Sequence, residues 1–393
     1  MPECAKPIVL TFVSYYLPGF KAGGPVTTIQ NLVEQFGTEY KFMIVTRDHD
    51  QGDLDPYQDI HINEWNCLGN MEVYYLAEKK ATVISIYRLL SVTPHDVIYL
   101  NSFFDFKLSF IPNLIQKLCC QKSPVILAPR GEFSAGALSL KSIRKRLFIG
   151  LFKLLGMSNN TIFQASSTHE KEDIKNSLNI SDEAIKIASD LPVAVQNSYT
   201  RQGDADLMKV VFLSRISPMK NLQFAIQSLQ QVVSPIIFNI YGPLENLVYW
   251  EKCEGLLSDL PDNVQWRYCG IAQPSSVRSI LASHDLMFLP TMGENYGHVI
   301  AESISVGTPV LISDRTPWKA LEEKGFGWDL DLDNQRIFAE IIDDCARLDP
   351  AERAQVRQKI LNKAVAFLCT PEQIEGNRML FEYSLRLKKR MSS

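Results

Sequence analysis

Short apolar runs alternating with amphipathic stretches dominate this chain. PIVLTFVS (7–14), KFMIVT (41–46), DVIYL (96–100), PVILAP (124–129) and TIFQAS (161–166) have the length and composition of buried strands. Between them, stretches such as Pro25–Phe36 and Phe106–Cys119 place apolar residues at helical spacing. This βαβ rhythm predicts a parallel sheet. It lapses in LPVAVQNSYTRQGDADLMK, which is polar and aperiodic, so a linker is expected around 194–208. A second series follows: KVVFLS (209–214), PIIFNIYG (235–242), NVQWRYCG (263–270), DLMFLP (285–290) and TPVLIS (308–313). From about Asp349 the pattern reads as two helices broken near Thr370-Pro371. The expected layout is an N-terminal domain over 1–200 and a C-terminal domain over 201–375. A last helix, 376–393, crosses back to the N-terminal domain. The fold class is α/β: two Rossmann-like, doubly wound domains facing across a cleft, with ligand at the carboxyl ends of the strands.

Composition narrows the function classes. At 393 residues the chain is too long for one ordinary core. Hydrophobic content of 46% and charged content of 21% fit a globular protein. A net charge of −4 argues against nucleic acid as a partner. None of the eight cysteines forms a C-x-x-C pair, and adjacent Cys119 and Cys120 suit neither a bridge nor a shared metal, so all are read as reduced. The N-terminal MPECAKPIVLTFVSYY reads as a first strand rather than a signal peptide. No window reaches the ~18 apolar residues of a membrane span. The expected location is cytoplasmic.

Three strand exits in the second series carry candidate chemistry. In VVFLSRISPMKNLQFAI, Arg215 follows a strand and Lys220 opens the next helix. Two cations there suit a diphosphate; a solvated loop is the plainer reading. IYGPLEN (240–246) is a strand entering a Gly-Pro turn at Gly242. In DLMFLPTMGENYGHVIAESISVGTPV, a strand ends at Pro290 and a loop runs to Gly297. A helix continues to Val306, with Gly307 as its cap. The N–H groups of Gly297, His298 and Val299 then lie at a helix N-terminus, an anion site. Glu294 sits in the loop beside it. Glu302 lies about one turn into the helix, where a carboxylate suits hydroxyls, a ribose being the candidate.

Glu294 and Glu302, separated by seven residues and set within G…AES…GTPV, resemble the signature of retaining GT-B glycosyltransferases of family 4, the glycosyl transferases group 1. FLSR…PMKN resembles that family's Arg/Lys pair, and IYGPLE its Gly-rich turn before a glutamate. The resemblance spans essentially the whole chain, with the motifs in the expected order. It implies that Arg215 and Lys220 hold the diphosphate of a nucleotide-sugar donor. It further implies that amides around Gly297, His298 and Val299 bind the distal phosphate, that Glu302 takes the ribose and that Glu294 contacts the donor sugar. His298 departs from the smaller or apolar residue common in the family, and only its amide is implicated. SDRTPW (313–318) is read as a wall of the nucleotide pocket.

In the first half, PGFKAGGPVTTI (18–29) joins strand to helix. Gly23 and Gly24 allow close backbone approach, and Pro25 suits a first helical turn. The stretch resembles the family's glycine loop that reaches the donor diphosphate. APRGEFSAGALS (128–139) sits at another strand exit and looks like a surface-polysaccharide subgroup. There Arg130 either touches donor phosphate or acceptor, or forms a structural ion pair. YLNSFFD carries Asn101 where many relatives have a histidine. From Phe133 to His169 there is no acidic residue. Over 138–155, Lys141, Arg144, Lys145, Arg146 and Lys153 interleave with Leu140, Ile143, Leu147, Leu151 and Leu154. This basic amphipathic segment is read as a contact for an anionic membrane or a lipid-diphosphate, or as a packed helix with a solvated basic face. Asp48-His49-Asp50 has the D-x-D form of a metal site. An acidic loop is the preferred reading, because the phosphate-handling groups of the other half leave no task for a metal.

The expectation is therefore a metal-independent glycosyltransferase with no cofactor. It would move a sugar, with retention, from a nucleotide-diphosphate sugar to a glycan or lipid-linked acceptor. Arg215, Lys220 and Glu294 would act on the reacting groups, stabilising the departing diphosphate of an oxocarbenium-like transition state. A GT-B epimerase or hydrolase would use the same nucleotide site without an acceptor. A silent binding protein would be expected to have lost phosphate or carboxylate groups, and Arg215, Lys220, Glu294 and Glu302 are all present.

Overall fold

Val/Ile/Leu-rich runs without alternation demand burial on both faces, and the central strands of both sheets obtain it. The computed structural model describes residues 6–69, 71–119, 123–139, 142–192 and 207–392. The chain divides into one unit of Met1–Leu191 with Pro371–Ser393, and another of Pro192–Thr370. Residues 194–206 of the expected linker, and Leu140 and Lys141 of the basic segment, lie outside the described residues.

The first unit is built on β1 (Ile8–Val13), β2 (Lys41–Arg47), β3 (Trp65–Leu68), β4 (Met71–Leu76), β5 (Val97–Asn101), β6 (Val125–Ala128), β7 (Thr161–Ala165) and β8 (Ile185–Ile187). Their order is β3-β4-β2-β1-β5-β6-β7-β8. Every neighbouring pair is parallel except β3–β4. Central β5 is buried throughout. The chain winds one way from β1 to β2 and the other way to β5, so the switch point lies between β1 and β5.

The second unit has β9 (Met208–Leu213), β10 (Ile236–Tyr241), β11 (Val264–Tyr268), β12 (Leu286–Leu289), β13 (Val310–Ser313) and β14 (Gly327–Leu330). All pairs are parallel, in the order β11-β10-β9-β12-β13-β14. Read in chain order this is 3-2-1-4-5-6, the doubly wound arrangement, with its switch point between β9 and β12.

Four strands were not anticipated: β3, β4, β8 and β14. β3 is only partly buried, β8 has three residues, and β14 opens on Gly327. At Gly327 a Cβ would lie 1.9 Å from the Val310 carbonyl oxygen, so the pairing with β13 requires glycine.

Helix Pro350–Leu368 opens with Asp349 accepting from the Glu352 amide while Glu352 reaches back to the Asp349 amide, a capping box ahead of a first-turn proline. Thr370-Pro371 then breaks the helix. The following helix, Pro371–Ser392, belongs to the first unit. Its Phe381 is fully buried and meets the rings of Phe36, Tyr40, Phe42 and Tyr99 at centroid distances of 5.2–6.4 Å. Asn377 donates to the Ser189 carbonyl, and Lys388 pairs with Asp96 at 2.7 Å.

Candidate functional site

In the second unit the loops leaving β9, β10, β12 and β13 meet at the carboxyl ends of the strands. Two of them flank the switch point. After β9, a short helical turn, Pro218–Lys220, presents Lys220. After β12, the loop Thr291–Gly297 presents Glu294. Lys220 Nζ donates to Glu294 Oε1 at 2.5 Å, with only 13% and 11% of the two side chains exposed. Backbone bonds fix this approach. The Met292 amide and the Thr291 hydroxyl both donate to the Met219 carbonyl, at 2.8 and 3.1 Å. The Glu294 amide donates to the Arg315 carbonyl. The cation and carboxylate named separately from sequence thus form one ion pair.

Arg215 follows β9 on the other side and pairs with Glu245 at 2.9 Å, both about a third exposed. A pair this open to water is weak and exchangeable, which leaves the guanidinium available to an anion. Gly242, in the Gly-Pro turn that follows β10, meets a requirement of the backbone. Its φ is +145°, and a Cβ would fall 1.8 Å from the Ser214 carbonyl oxygen. Glycine is needed there so that the β10 turn can lie against the loop bearing Arg215. Gly242 thus positions Arg215 through the backbone, and its bare Cα is explained without a ligand.

The helix after Glu294 runs His298–Ser305, with Gly297 before it at φ +81°. The first-turn N–H groups, those of His298 and Val299, therefore lie at the positive end of its dipole. A Cβ on Gly297 would stand 3.5 Å from Glu294 Cγ, so the helix start and the Lys220–Glu294 pair adjoin. The His298 ring is buried and lies 4.8 Å from the Tyr296 ring, centroid to centroid. Trp318, in the stretch read as a pocket wall, donates its indole N–H to the Tyr296 carbonyl and so braces the same loop. Glu302 lies four residues into the helix. Burial of its carboxyl group pushes the pKa up to about 7, opposed by the positive charge of Arg278. Sequence reasoning missed Arg278, which stands on another helix, Pro274–Ala282, with no motif to mark it.

The first unit redistributes its expected roles. Gly23, at φ +65°, precedes helix Gly24–Phe36, and a Cβ there would meet nothing within 4 Å. The backbone at Gly23 is therefore open to approach. Arg130 is held inside its own unit. Its guanidinium, 10% exposed, pairs with Asp190 and donates to Tyr99 Oη and to Asn101 Oδ1. Against contact with donor phosphate or acceptor stood a structural ion pair, and the structure shows that ion pair. Burying a guanidinium demands such a partner set. Asn101, at the position where a histidine was expected, is a partner of that cluster. The carboxylates of Asp48-His49-Asp50 are also occupied. Asp48 bonds the His49 ring at 2.8 Å, and Asp50 accepts from the amides of Phe20, Lys21 and Gln51.

Residues 202–361 match the family model of the glycosyl transferases group 1. No curated protein matches the chain. Similar solved structures include HepE from Anabaena in complex with UDP and glucose: TM-score 0.70, 13% identity, covering 96% of this chain and 99% of that one. WaaG, a glycosyltransferase involved in lipopolysaccharide biosynthesis, aligns at TM-score 0.65 and 14% identity over 95% and 99%. The sucrose-phosphate synthase of Thermosynechococcus elongatus aligns at 0.70 and 14% over 96% and 99%. At such identities the likeness speaks for the fold, which is GT-B.

Proposed function

We propose that this chain moves a sugar, with retention of configuration, from a nucleotide-diphosphate sugar to a glycan or lipid-linked acceptor of surface-polysaccharide assembly, a reading that starts from the match of residues 202–361 to the glycosyl transferases group 1. The observation that carries the reading is the Lys220–Glu294 pair at the switch point beside a helix N-terminus. Breaking the bond between the anomeric carbon and the diphosphate leaves negative charge on phosphate oxygens. Lys220, Arg215 and the amides of His298 and Val299 would hold that charge. An ammonium has three donors, so Lys220 can keep Glu294 and still reach a phosphate oxygen. Glu294, anchored by that bond, would orient the sugar hydroxyls near the reacting carbon. The departing phosphate would take the acceptor's proton on the same face, so the scheme uses no metal and no enzyme nucleophile. Gly23 and Gly24 would bring backbone amides to the donor. Glu302 would accept from the ribose.

HepE's complexes with UDP and UDP-glucose make uridine diphosphate sugars the first donors to try. At least one nucleotide sugar of a panel is expected to raise Tm by several degrees when present well above its Kd, since ligand binding to the folded state stabilises it by mass action. A panel without any shift would sink the reading. Donor incubated alone should stay intact; isomerisation or release of the sugar would instead favour an epimerase or hydrolase.

The basic segment supports a cytoplasmic enzyme seated on the inner membrane face. Among the described residues no helix is long and apolar enough to cross a membrane. Helix Ser142–Leu154 buries Phe152. Its Phe148 meets the rings of Phe103, Phe104 and Phe110. Yet Ile143, Leu147, Leu151 and Leu154 are 75%, 70%, 42% and 84% exposed. At 3.6 residues per turn these four share one stripe, with Arg144 on one flank and Arg146 and Lys153 on the other. A packed helix would turn its leucines inward, whereas an interfacial one turns them out between cations. Leu147→Glu combined with Leu154→Glu is expected to lower binding to phosphatidylglycerol vesicles at least five-fold, as read by co-sedimentation. Equal binding by variant and wild type would remove this contact.

A further inference from the structure

The first unit has its own switch point, between β1 and β5, and a pocket of about 410 Å³ opens there. That size lies within the roughly 300–1,000 Å³ of small-molecule sites. Ser14 and Ser102 line it from the ends of β1 and β5, and Arg47 from the end of β2. Ser102 adopts φ +124°, a region that residues with a Cβ rarely occupy, and such outliers gather at binding sites.

The electrostatics of the pocket are closed on themselves. Arg47 donates to Asp105 at 2.8 Å, and Ser14 donates to the same carboxylate oxygen. Lys107 pairs with Glu78 at 3.0 Å. Glu132 accepts from the Ser102 hydroxyl and from the amides of Phe103 and Phe104. Two cations therefore face three carboxylates, and each cation already has a partner. With three carboxylates against two cations the lining carries excess negative charge, so an incoming phosphate would sit beside carboxylate oxygens that repel it. Sugar hydroxyls face no such barrier. They can donate to the remaining carboxylate lone pairs and accept from the remaining guanidinium and ammonium hydrogens. The pocket also offers an apolar platform. Phe106 is 52% exposed and stacks on Phe110 at 5.1 Å, which holds its ring in place. Phe104, also in the lining, is packed against Phe148 and capped by Lys145, both on the helix with the exposed leucine stripe.

We propose that this pocket binds an uncharged saccharide unit, its hydroxyls held among the Arg47–Asp105 and Lys107–Glu78 pairs and its apolar face on Phe106. Calling that unit part of the acceptor rests on the transfer reading above; the binding itself does not. The implication is that the first unit recognises the glycan by its sugar, while any diphosphate of a lipid carrier lies outside the pocket.

The test uses the full chain and saturation-transfer NMR. The probes are methyl glycosides of glucose, galactose and N-acetylglucosamine, set against the corresponding sugar 1-phosphates. At least one neutral glycoside should bind, and the phosphates more weakly. Phe106→Ala should weaken the neutral ligand about ten-fold, consistent with the value of one aromatic contact. Phe106 is half exposed, so folding should survive. An unchanged nucleotide-sugar shift in Tm would confirm this for the other unit. Binding by phosphates alone, by no probe at all, or with undiminished strength in Phe106→Ala would overturn the proposal. If neutral glycosides bind the pocket while no nucleotide sugar binds the chain, the pocket stands and the transfer reading falls.

Discussion

Lys220→Ala is expected to lower kcat by about 10²–10³-fold, the usual effect of removing one preorganised charge-stabilising donor from a transition state. The lysine cannot be replaced by a neighbour, because its place is set by the backbone: Met219, next to it, is bonded by both Met292 and Thr291. The expectation has a complication that the ion pair itself creates. Glu294 keeps only 11% of its side chain exposed, so losing Lys220 strands a poorly hydrated carboxylate. Lys220→Ala should therefore lower Tm as well as rate. The double variant Lys220→Ala/Glu294→Ala separates the two effects. It should recover much of the lost stability and none of the lost turnover. Lys220→Arg, which keeps the charge with a different shape, should recover part of the turnover. The two residues touch, so their single effects should not add. Transfer at the wild-type rate by folded Lys220→Ala would refute the assignment.

The same contact shows what was legible in the chain and what was not. Glu294, Gly297, His298 and Glu302 are close in sequence, so a loop–helix reading locates them without knowledge of the rest. Lys220 lies 74 positions from Glu294, and only the β9–β12 adjacency brings them together. Arg130 was left between two readings for a related reason. A strand-exit arginine looks like a phosphate ligand, and what neutralises it, Asp190, lies 60 positions away. The pocket in the first unit left no trace in the sequence. It takes Ser14, Arg47 and Ser102 from three strand ends, and the identity of each is ordinary. Among strands, fully buried apolar runs were read, including β6, β12 and β13 of four residues each, while β4, six residues long but only partly buried, was missed. β14 is set by the room Gly327 leaves for Val310, which no periodicity reports.

Glu302→Gln should make the ligand-free protein more stable and its donor binding weaker. The sign follows from the proton. In the fold, burial lifts the Glu302 pKa from the ordinary 4.5 to about 7. Between those values the folded chain keeps a proton that the unfolded chain has released. Stability therefore falls as pH rises across this window, and above it the cost is complete. At 1.36 kcal/mol per pKa unit the full cost is up to about 3 kcal/mol. Gln carries no charge to desolvate. The stability gap between Glu302→Gln and wild type should be absent below about pH 4.5, grow towards pH 7 and then level off. Donor binding should move the other way. If the ribose hydroxyls donate to Glu302, they favour its charged form. Wild-type affinity should then rise as pH increases through about 7, with a proton released on binding. Glu302→Gln should bind donor about ten-fold more weakly above that pH, as expected for loss of a hydrogen bond to a charged acceptor, and should show no such rise. Calorimetry in two buffers of different ionisation enthalpy reads the proton directly. Burial thus costs the empty site stability and makes the carboxylate a strong acceptor once hydroxyls reach it. A variant that gained stability yet kept full donor affinity would show that Glu302 is buried for packing, and would remove the ribose from its role.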